Sequence, residues 1–181
     1  GRLDVAAHPL SMSIGVDVRL TTRYDPHDLR CSLYSTLHEG GHGLYEQGLD
    51  PKARGLPRGQ ACSLGVHESQ SRLWENIVGR SYGFWEYFLP IVRSCFDTLR
   101  DASLEAVWRA ANEAGPSLIR TESDEITYNL HIALRYELER RLIAGTLAVT
   151  DLPAAWREGM QSLLGVTPAT DREGVLQDVH W

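Results

Sequence analysis

Polar and apolar positions alternate with a period of two in one short stretch near the start of the chain. Residues 16–21 read Val-Asp-Val-Arg-Leu-Thr, so that successive side chains would point to opposite faces of a β-strand. The rest of residues 1–24 lacks the period of an amphipathic helix. We therefore predict one strand here, as a small β element ahead of a helical region.

Beyond residue 24 the apolar period changes to that of an α-helix. Leu29, Leu33 and Leu37 recur every four residues and would share one helix face. Asp25 is the expected N-cap, and Gly48 is a typical C-terminal stop. We predict a helix from Asp25 to the residue before Gly48.

The same patterns predict further helices separated by breaks rich in glycine and proline. Residues 49–60 have the composition of a loop, and Gly115-Pro116 interrupts the later pattern. Thr121 and Asp124 have the spacing of a capping box. The fold class is mainly α with a small β element near the N-terminus. The predicted helices cover about residues 61–79, 83–99, 103–114, 122–144 and 151–164.

Composition and charge narrow the classes of partner. A net charge of −6 argues against a nucleic-acid surface. No apolar run approaches the roughly 20 residues that cross a bilayer, so we expect neither a nucleic-acid nor a membrane partner. Three widely spaced cysteines without a Cys-x-x-Cys pair favour buried, reduced thiols, and no signal-peptide pattern is present. These features favour a cytoplasmic location.

A metal-binding pattern lies inside the first predicted helix. Residues 38–42 read His-Glu-Gly-Gly-His, which fits HEXXH. His38 and His42 would lie about 40° apart around the helix, so both imidazoles could reach one ion. Glu39 would be offset enough to act as general base. Each internal glycine costs about 1 kcal/mol relative to alanine, which suggests a close approach to the backbone; packing against another helix explains one glycine better than two.

A metal site of this kind needs a third protein ligand and an open position. The downstream candidates are Glu46, His67, Glu68 and Glu75. Glu46 lies one turn beyond His42 on the same helix, which makes its geometry doubtful. An antiparallel return of the chain would bring Glu68 opposite the histidines. Spacing alone leaves His67 as a competing ligand, and its alternative is a histidine that lies behind the ligands or on the surface. A helix N-terminal acid would also explain Glu68.

A polar stripe is predicted on the long helix at 122–144. Asp124, Tyr128, His131 and Arg135 would fall within about 60° of one another, with apolar positions opposite. Tyrosine and histidine can donate hydrogen bonds to a developing oxyanion, and the stripe would then line a cleft. A solvated helix face is the alternative interpretation.

Six ordered motifs together resemble those of the carboxypeptidase Taq family of thermostable metallocarboxypeptidases. Leu10 replaces an aromatic residue of the family pattern, and Ser123 replaces an alanine. The resemblance runs along nearly the whole chain. Its motifs are residues 8–10, 17–21, 38–42, 67–70, 119–124 and 174–181.

The resemblance implies a helical metallopeptidase catalytic segment that removes C-terminal amino acids from peptides. It implies His38, His42 and Glu68 as ligands of one divalent metal ion, with zinc as the first choice and cobalt as the second. Glu39 would be the general base, and a homodimer would be the assembly.

A carboxypeptidase must also hold the terminal carboxylate of its substrate, which suits an arginine fork. Arg19 and Arg120 are the candidates, and Tyr128 and His131 are candidate oxyanion donors. The alternative for each arginine is an internal ion pair with Asp17, Asp124 or another acid.

Family members are much longer than this chain. We therefore expect residues 1–181 to be a single catalytic segment of a longer metallocarboxypeptidase, with a preceding helical part missing. Two other interpretations stay open: an inactive, truncated metal-binding fragment, and an HEXXH aminopeptidase or endopeptidase.

Overall fold

A computed structural model of the protein describes residues 1–177, and these confirm a mainly α chain with a small β element near the N-terminus. Contacts divide the chain into two compact units, Gly1–Ala111 and Asn112–Trp181. The expected single catalytic segment stays a prediction. The first unit contains β1 (Arg2–Val5), β2 (Leu10–Ile14), β3 (Asp17–Thr22), α1 (Leu29–Gly48), α2 (Leu64–Arg72), α3 (Tyr82–Cys95) and α4 (Leu104–Ala111), and the second contains α5 (Tyr128–Ile143) and α6 (Leu152–Leu164).

The β element is a three-stranded sheet in the order β1-β3-β2, where one strand was predicted. β3 pairs parallel with β1 and antiparallel with β2. Gly15 makes the turn between β2 and β3 with a φ of 67°, a conformation that favours glycine. Leu10, Met12 and Ile14 alternate with serines along β2, a signal from which this strand could have been predicted. All three are about half exposed.

Helix α1 begins three residues later than predicted. The Asp28 carboxylate accepts the backbone N–H of Arg30 at 2.9 Å and is the N-cap. Asp25, the predicted cap, instead accepts the N–H of His27 at 2.8 Å in the turn before the helix. Both aspartates satisfy free amides, so the residue type alone did not identify the cap. The predicted end at Gly48 agrees with the structure within one residue.

The backbones of α1 and α2 approach each other closely at Gly41. A Cβ atom there would lie 2.6 Å from the carbonyl oxygen of Gln70 and 2.7 Å from the Cα of Ser71. A Cβ on Gly40 would meet nothing within 4 Å. Helix packing therefore explains Gly41 alone of the adjacent pair, and it brings the next helix against the two histidines.

The predicted helix at 61–79 is a shorter α-helix followed by a wider turn. Ser63 caps α2 by accepting the N–H of Val66 at 3.1 Å, and residues Leu73–Val78 continue as a π-helix. Leu73 and Ile77 are 40% and 69% exposed. π-Turns often occur at functional sites, and this one carries Glu75.

The long helix of the second unit begins at Tyr128, not at residue 122 as predicted. Residues Arg120–Glu122 form a 3₁₀ turn, so the proposed Thr121 capping box is wrong. Asp124 caps the turn that leads into α5, where its carboxylate accepts the N–H groups of Ile126 and Thr127 at 2.8 and 2.9 Å. Helices α5 and α6 share a core made by Leu134, Leu138, Leu147, Leu152, Trp156, Met160, Leu164 and Val175.

Helices α3 and α4 are shorter at their C-terminal ends than predicted. Helix α3 ends at Cys95 and α4 at Ala111, each a few residues before its predicted end. Cys62 and Cys95 are exposed, which corrects the prediction of buried thiols. None of the helices within residues 1–177 combines the length and the apolar character needed to cross a bilayer.

We expect Gly41→Ala to lower the free energy of unfolding by about 1–3 kcal/mol, because the new methyl group would force two backbones apart. Gly40→Ala is the matched control. Its Cβ would enter open space, so it should stabilise the helix by up to about 1 kcal/mol. Urea unfolding of both variants measures the difference. Equal effects at the two positions would contradict the close approach.

The Asp124 cap should make stability depend on pH. Partial burial would raise the pKa of Asp124, but hydrogen bonds from Thr127, Gly115 and Ile126 outweigh it and lower the pKa to about 2. A lowered pKa gives stability that is complete above the ordinary value of 3.8 and is lost as the pH falls through about 2.

We therefore expect Asp124→Asn to lower the free energy of unfolding by about 1–2 kcal/mol at pH 6, because an amide nitrogen cannot accept the hydrogen bonds that one carboxylate oxygen takes from Gly115 and Thr127. The difference from the parent chain should shrink between pH 4 and pH 2. Urea unfolding across this pH range measures it, with the exposed Asp101→Asn as control. A constant difference at all pH values would count against the carboxylate cap.

Candidate metal centre

The three predicted metal ligands converge in the structure. His38 and His42 lie one turn apart on α1, and Glu68 reaches them from α2. The Nε2 of His38 lies 3.4 Å from Oε1 of Glu68, and the Nε2 of His42 lies 3.3 Å from Oε2. One ligand atom from each of the three residues lies within 4.8 Å of the others.

Two of the separations, each between a histidine Nε2 and a different carboxylate oxygen of Glu68, fit those around a tetrahedral ion. Two ligand atoms bound at about 2.1 Å with a tetrahedral angle lie roughly 3.4 Å apart. The observed nitrogen–oxygen distances are 3.3 and 3.4 Å. Two imidazoles and one carboxylate suit zinc, and cobalt is compatible with the same donors. Glu68 is half exposed, whereas the histidines are mostly buried. The open coordination position of a bound ion would therefore face solvent.

Glu75 lies behind His38 and not among the ligand atoms. Its Oε2 is 2.7 Å from Nδ1 of His38 and 3.1 Å from Nη1 of Arg72. Burial would raise the pKa of Glu75, but the hydrogen bond from His38 and the charge of Arg72 lower it below its ordinary value. A carboxylate behind a ligating histidine fixes the ring and makes the ligand more basic.

The remaining two candidate ligands lie behind His42. The Nδ1 of His67 is 2.7 Å from Nδ1 of His42, and the Nε2 of His67 is 2.8 Å from Oε1 of Glu46. His67 therefore contacts the side of the His42 ring that is turned away from Glu68. Sequence reasoning included all four candidates but did not identify these contacts, because they depend on how α2 packs on α1.

Glu39 is buried, with 9% of its surface exposed. Desolvation raises its pKa above the ordinary value, although the nearby His38 and His42 oppose the shift. Burial would lower the pKa of His38, but Glu75, Glu68 and Glu39 outweigh it and raise that pKa. A carboxylate with a raised pKa is suited to taking up and giving back a proton near neutral pH.

Arg19 lies on β3 and pairs with Asp17 on the same strand. Its Nε is 3.3 Å from Oδ2 of Asp17, and both side chains are about half exposed. This is the internal ion pair foreseen as the alternative to substrate binding. Exposed pairs contribute little free energy, so a substrate carboxylate could displace Asp17, and that role for Arg19 stays a prediction.

The other three candidate substrate residues lie together in the second unit. Nη1 of Arg120 donates to the hydroxyl of Tyr128 at 2.5 Å, and the guanidinium carbon lies 5.4 Å from the centroid of that ring. His131 is 1% exposed and shares the buried face of α5 with Leu134 and Leu138. Burial, with the charge of Arg120, lowers the pKa of His131. The solvated-face interpretation is therefore wrong for His131.

The last predicted motif is described only in part. The side-chain amide of Gln177 donates to the carbonyl of Leu118 at 2.9 Å, and its oxygen accepts the backbone N–H of Arg120 at 2.9 Å. Gln177 therefore holds the segment before α5 in place. Residues 178–181 of this motif lie outside the described residues.

The fold and the site together indicate the class of protein. Two histidines in HEXXH on one helix, with a glutamate from the next helix, form the type of centre that zinc metallopeptidases use. Residues 1–181 match the family model of the carboxypeptidase Taq (M32) metallopeptidases. The chain belongs to this family.

Individual proteins agree with the family match. The chain is 57% identical over 182 residues to thermostable carboxypeptidase 1 of Thermus thermophilus, covering all of this chain and 36% of that protein. It is 46% identical over 183 residues to carboxypeptidase 1 of Bacillus subtilis, with the same coverage of 100% and 36%. The chain therefore spans little more than a third of the length of these curated relatives.

Solved structures show the same fold. The M32 carboxypeptidase from Deinococcus radiodurans R1 matches with a TM-score of 0.95 and 50% identity, over 99% of this chain and 37% of that one. Trypanosoma cruzi metallocarboxypeptidase 1 matches with a TM-score of 0.92 and 41% identity, over 99% of this chain and 38% of that one.

We expect the chain to bind one zinc or cobalt ion and Glu68→Ala to weaken that binding by more than about 100-fold, since one of three protein ligands is removed. Competition with a chromophoric chelator measures the dissociation constants. Glu86→Ala, at an exposed position on α3, is the control. Equal affinity in the parent and Glu68→Ala chains would place the ion elsewhere.

Proposed function

We propose that this chain carries the catalytic centre of a metal-dependent carboxypeptidase, which hydrolyses the last peptide bond of a peptide and releases its C-terminal amino acid. Membership of the M32 family supports the reaction class. The observation that carries the proposal is the convergence of His38, His42 and Glu68, which offer one ligand atom each within 4.8 Å of one another. The two separations between a histidine Nε2 and a Glu68 oxygen, 3.4 and 3.3 Å, fit those around a tetrahedral ion. We propose zinc as that ion, with cobalt as the second choice.

Glu39 is the proposed general base. An ion held by the three ligands would supply a Lewis acid and make a water molecule more acidic. Glu39 follows His38 directly along α1, so its carboxylate is held beside the ligands. It takes a proton from the attacking water and delivers the same proton to the leaving amine nitrogen. Its burial and raised pKa favour both steps.

The substrate's terminal carboxylate is proposed to bind an arginine. Arg19 and Arg120 are the candidates, because a guanidinium can make two parallel hydrogen bonds to a carboxylate. Tyr128 and His131 are the proposed oxyanion donors. Tyr128 is half-buried, whereas His131 is buried, so Tyr128 is the one of the two that a substrate can reach without movement of the surrounding side chains.

The substrate class and the assembly follow from the family resemblance, whereas the location and the excluded partners follow from composition and charge. We propose a peptide as the substrate, a homodimer as the assembly and the cytoplasm as the location, with no nucleic-acid or membrane partner. The net charge of −6 supports the absence of a nucleic-acid partner.

A second candidate function is metal binding without hydrolysis. The chain spans 36% of the length of the relatives it matches, and a substrate groove needs walls as well as a metal centre. An HEXXH aminopeptidase or endopeptidase remains the alternative enzyme.

Paired peptides test the proposal. With zinc or cobalt present, we expect the chain to shorten a peptide with a free C-terminus and to leave the C-terminally amidated peptide intact. Glu39→Gln should keep the ion and lower hydrolysis by at least about 100-fold, because it removes the proton acceptor. Mass spectrometry of the products and metal analysis of the protein give the two readouts.

Each other outcome identifies a different function. Cleavage of the amidated peptide would favour an endopeptidase, and release of N-terminal residues would favour an aminopeptidase. A bound ion with no hydrolysis of any peptide would favour the inactive metal-binding fragment.

A further inference from the structure

We propose that His67 and Glu46 are positioning residues for His42: together the three side chains form a hydrogen-bonded chain, the His42–His67–Glu46 relay, that orients the His42 ring towards the metal. This inference rests on the metal site of the proposed function. It assigns a role to two polar side chains that are neither ligands nor the proposed base.

The contacts are short and consecutive. The two Nδ1 atoms of His42 and His67 are 2.7 Å apart, and Nε2 of His67 is 2.8 Å from Oε1 of Glu46. The ring of Tyr45 packs edge-on against His67 at a centroid distance of 5.0 Å. The position of the His67 ring is therefore defined by contacts on both nitrogens and on one face.

Metal binding determines which ring nitrogens of the His42–His67–Glu46 relay carry protons. Nε2 of His42 faces Glu68 at 3.3 Å, so a bound ion takes the lone pair of that nitrogen and the ring proton must sit on Nδ1. Nδ1 of His42 then donates to Nδ1 of His67, which must accept. The proton of neutral His67 is left on Nε2, where it donates to Glu46. This arrangement of the protons gives each of the four ring nitrogens of His42 and His67 a partner.

The relay also joins two helices. His42 and Glu46 lie one turn apart on α1, while His67 comes from α2 and inserts between them. His67 directly precedes Glu68, so the contact that orients one ligand also holds the segment carrying another. The three side chains are 16%, 20% and 28% exposed, and partial burial makes a lost hydrogen bond hard for water to replace.

The two ligating histidines differ in their support. His38 contacts the carboxylate of Glu75 directly, and Arg72 holds that carboxylate. His42 reaches its carboxylate only through His67. Removing His67 therefore leaves Nδ1 of His42 without its described partner, while the support of His38 is untouched.

Two substitutions of His67 separate hydrogen bonding from packing. His67→Leu fills the space but can neither accept nor donate, and we expect it to weaken cobalt binding about 10–100-fold and to alter the visible absorption of the cobalt-loaded chain. His67→Gln carries an acceptor and a donor on one group, and we expect it to recover most of the affinity and the parent spectrum. His27→Gln, at an exposed histidine, is the control.

Urea unfolding without metal shows whether each variant is folded. If the folded His67→Leu chain binds cobalt with the affinity and spectrum of the parent, the relay is wrong. If folded His67→Gln binds as weakly as His67→Leu, the ring acts by packing alone, which also overturns the proposal. A parent chain that binds no ion would instead overturn the proposed function itself, together with the relay.

Discussion

The backbone contact between α1 and α2 at Gly41 is the constraint on which the site depends. A glycine there lets the Gln70–Ser71 backbone approach to a distance that a Cβ atom would prevent. Because Glu68 lies one turn earlier on α2, the same approach brings its carboxylate within 3.4 Å of both Nε2 atoms. The absence of a side chain at Gly41 thus lets a carboxylate from α2 meet two histidines that lie one turn apart on α1.

Two further side chains lie behind the ligating histidines and contact their Nδ1 atoms. Glu75 holds the back of His38, and His67 holds the back of His42. Ligands whose outer atoms are already engaged lose less conformational freedom when an ion binds. The π-turn that follows α2 contributes here, because it carries Glu75.

The sequence predicted the helical class, the ligand pair and the carboxylate that faces it, because helical spacing and family motifs depend on local order. It did not predict which atoms His67 and Glu75 contact, because those contacts depend on the packing of α2 on α1. Local chemistry was also ambiguous at helix starts: Asp25 and Asp28 both cap amides, and only the structure shows that α1 begins after Asp28. The edge strands were missed although both alternate polar and apolar residues, because they are only four and five residues long.

The most direct test of the central claim is the crystal structure of the zinc-loaded chain, with the ion located by anomalous scattering. We predict one ion bound to Nε2 of His38, Nε2 of His42 and a carboxylate oxygen of Glu68, each at about 2.0–2.2 Å. An ion bound without Glu68, or one coordinated by His67 in its place, would contradict it.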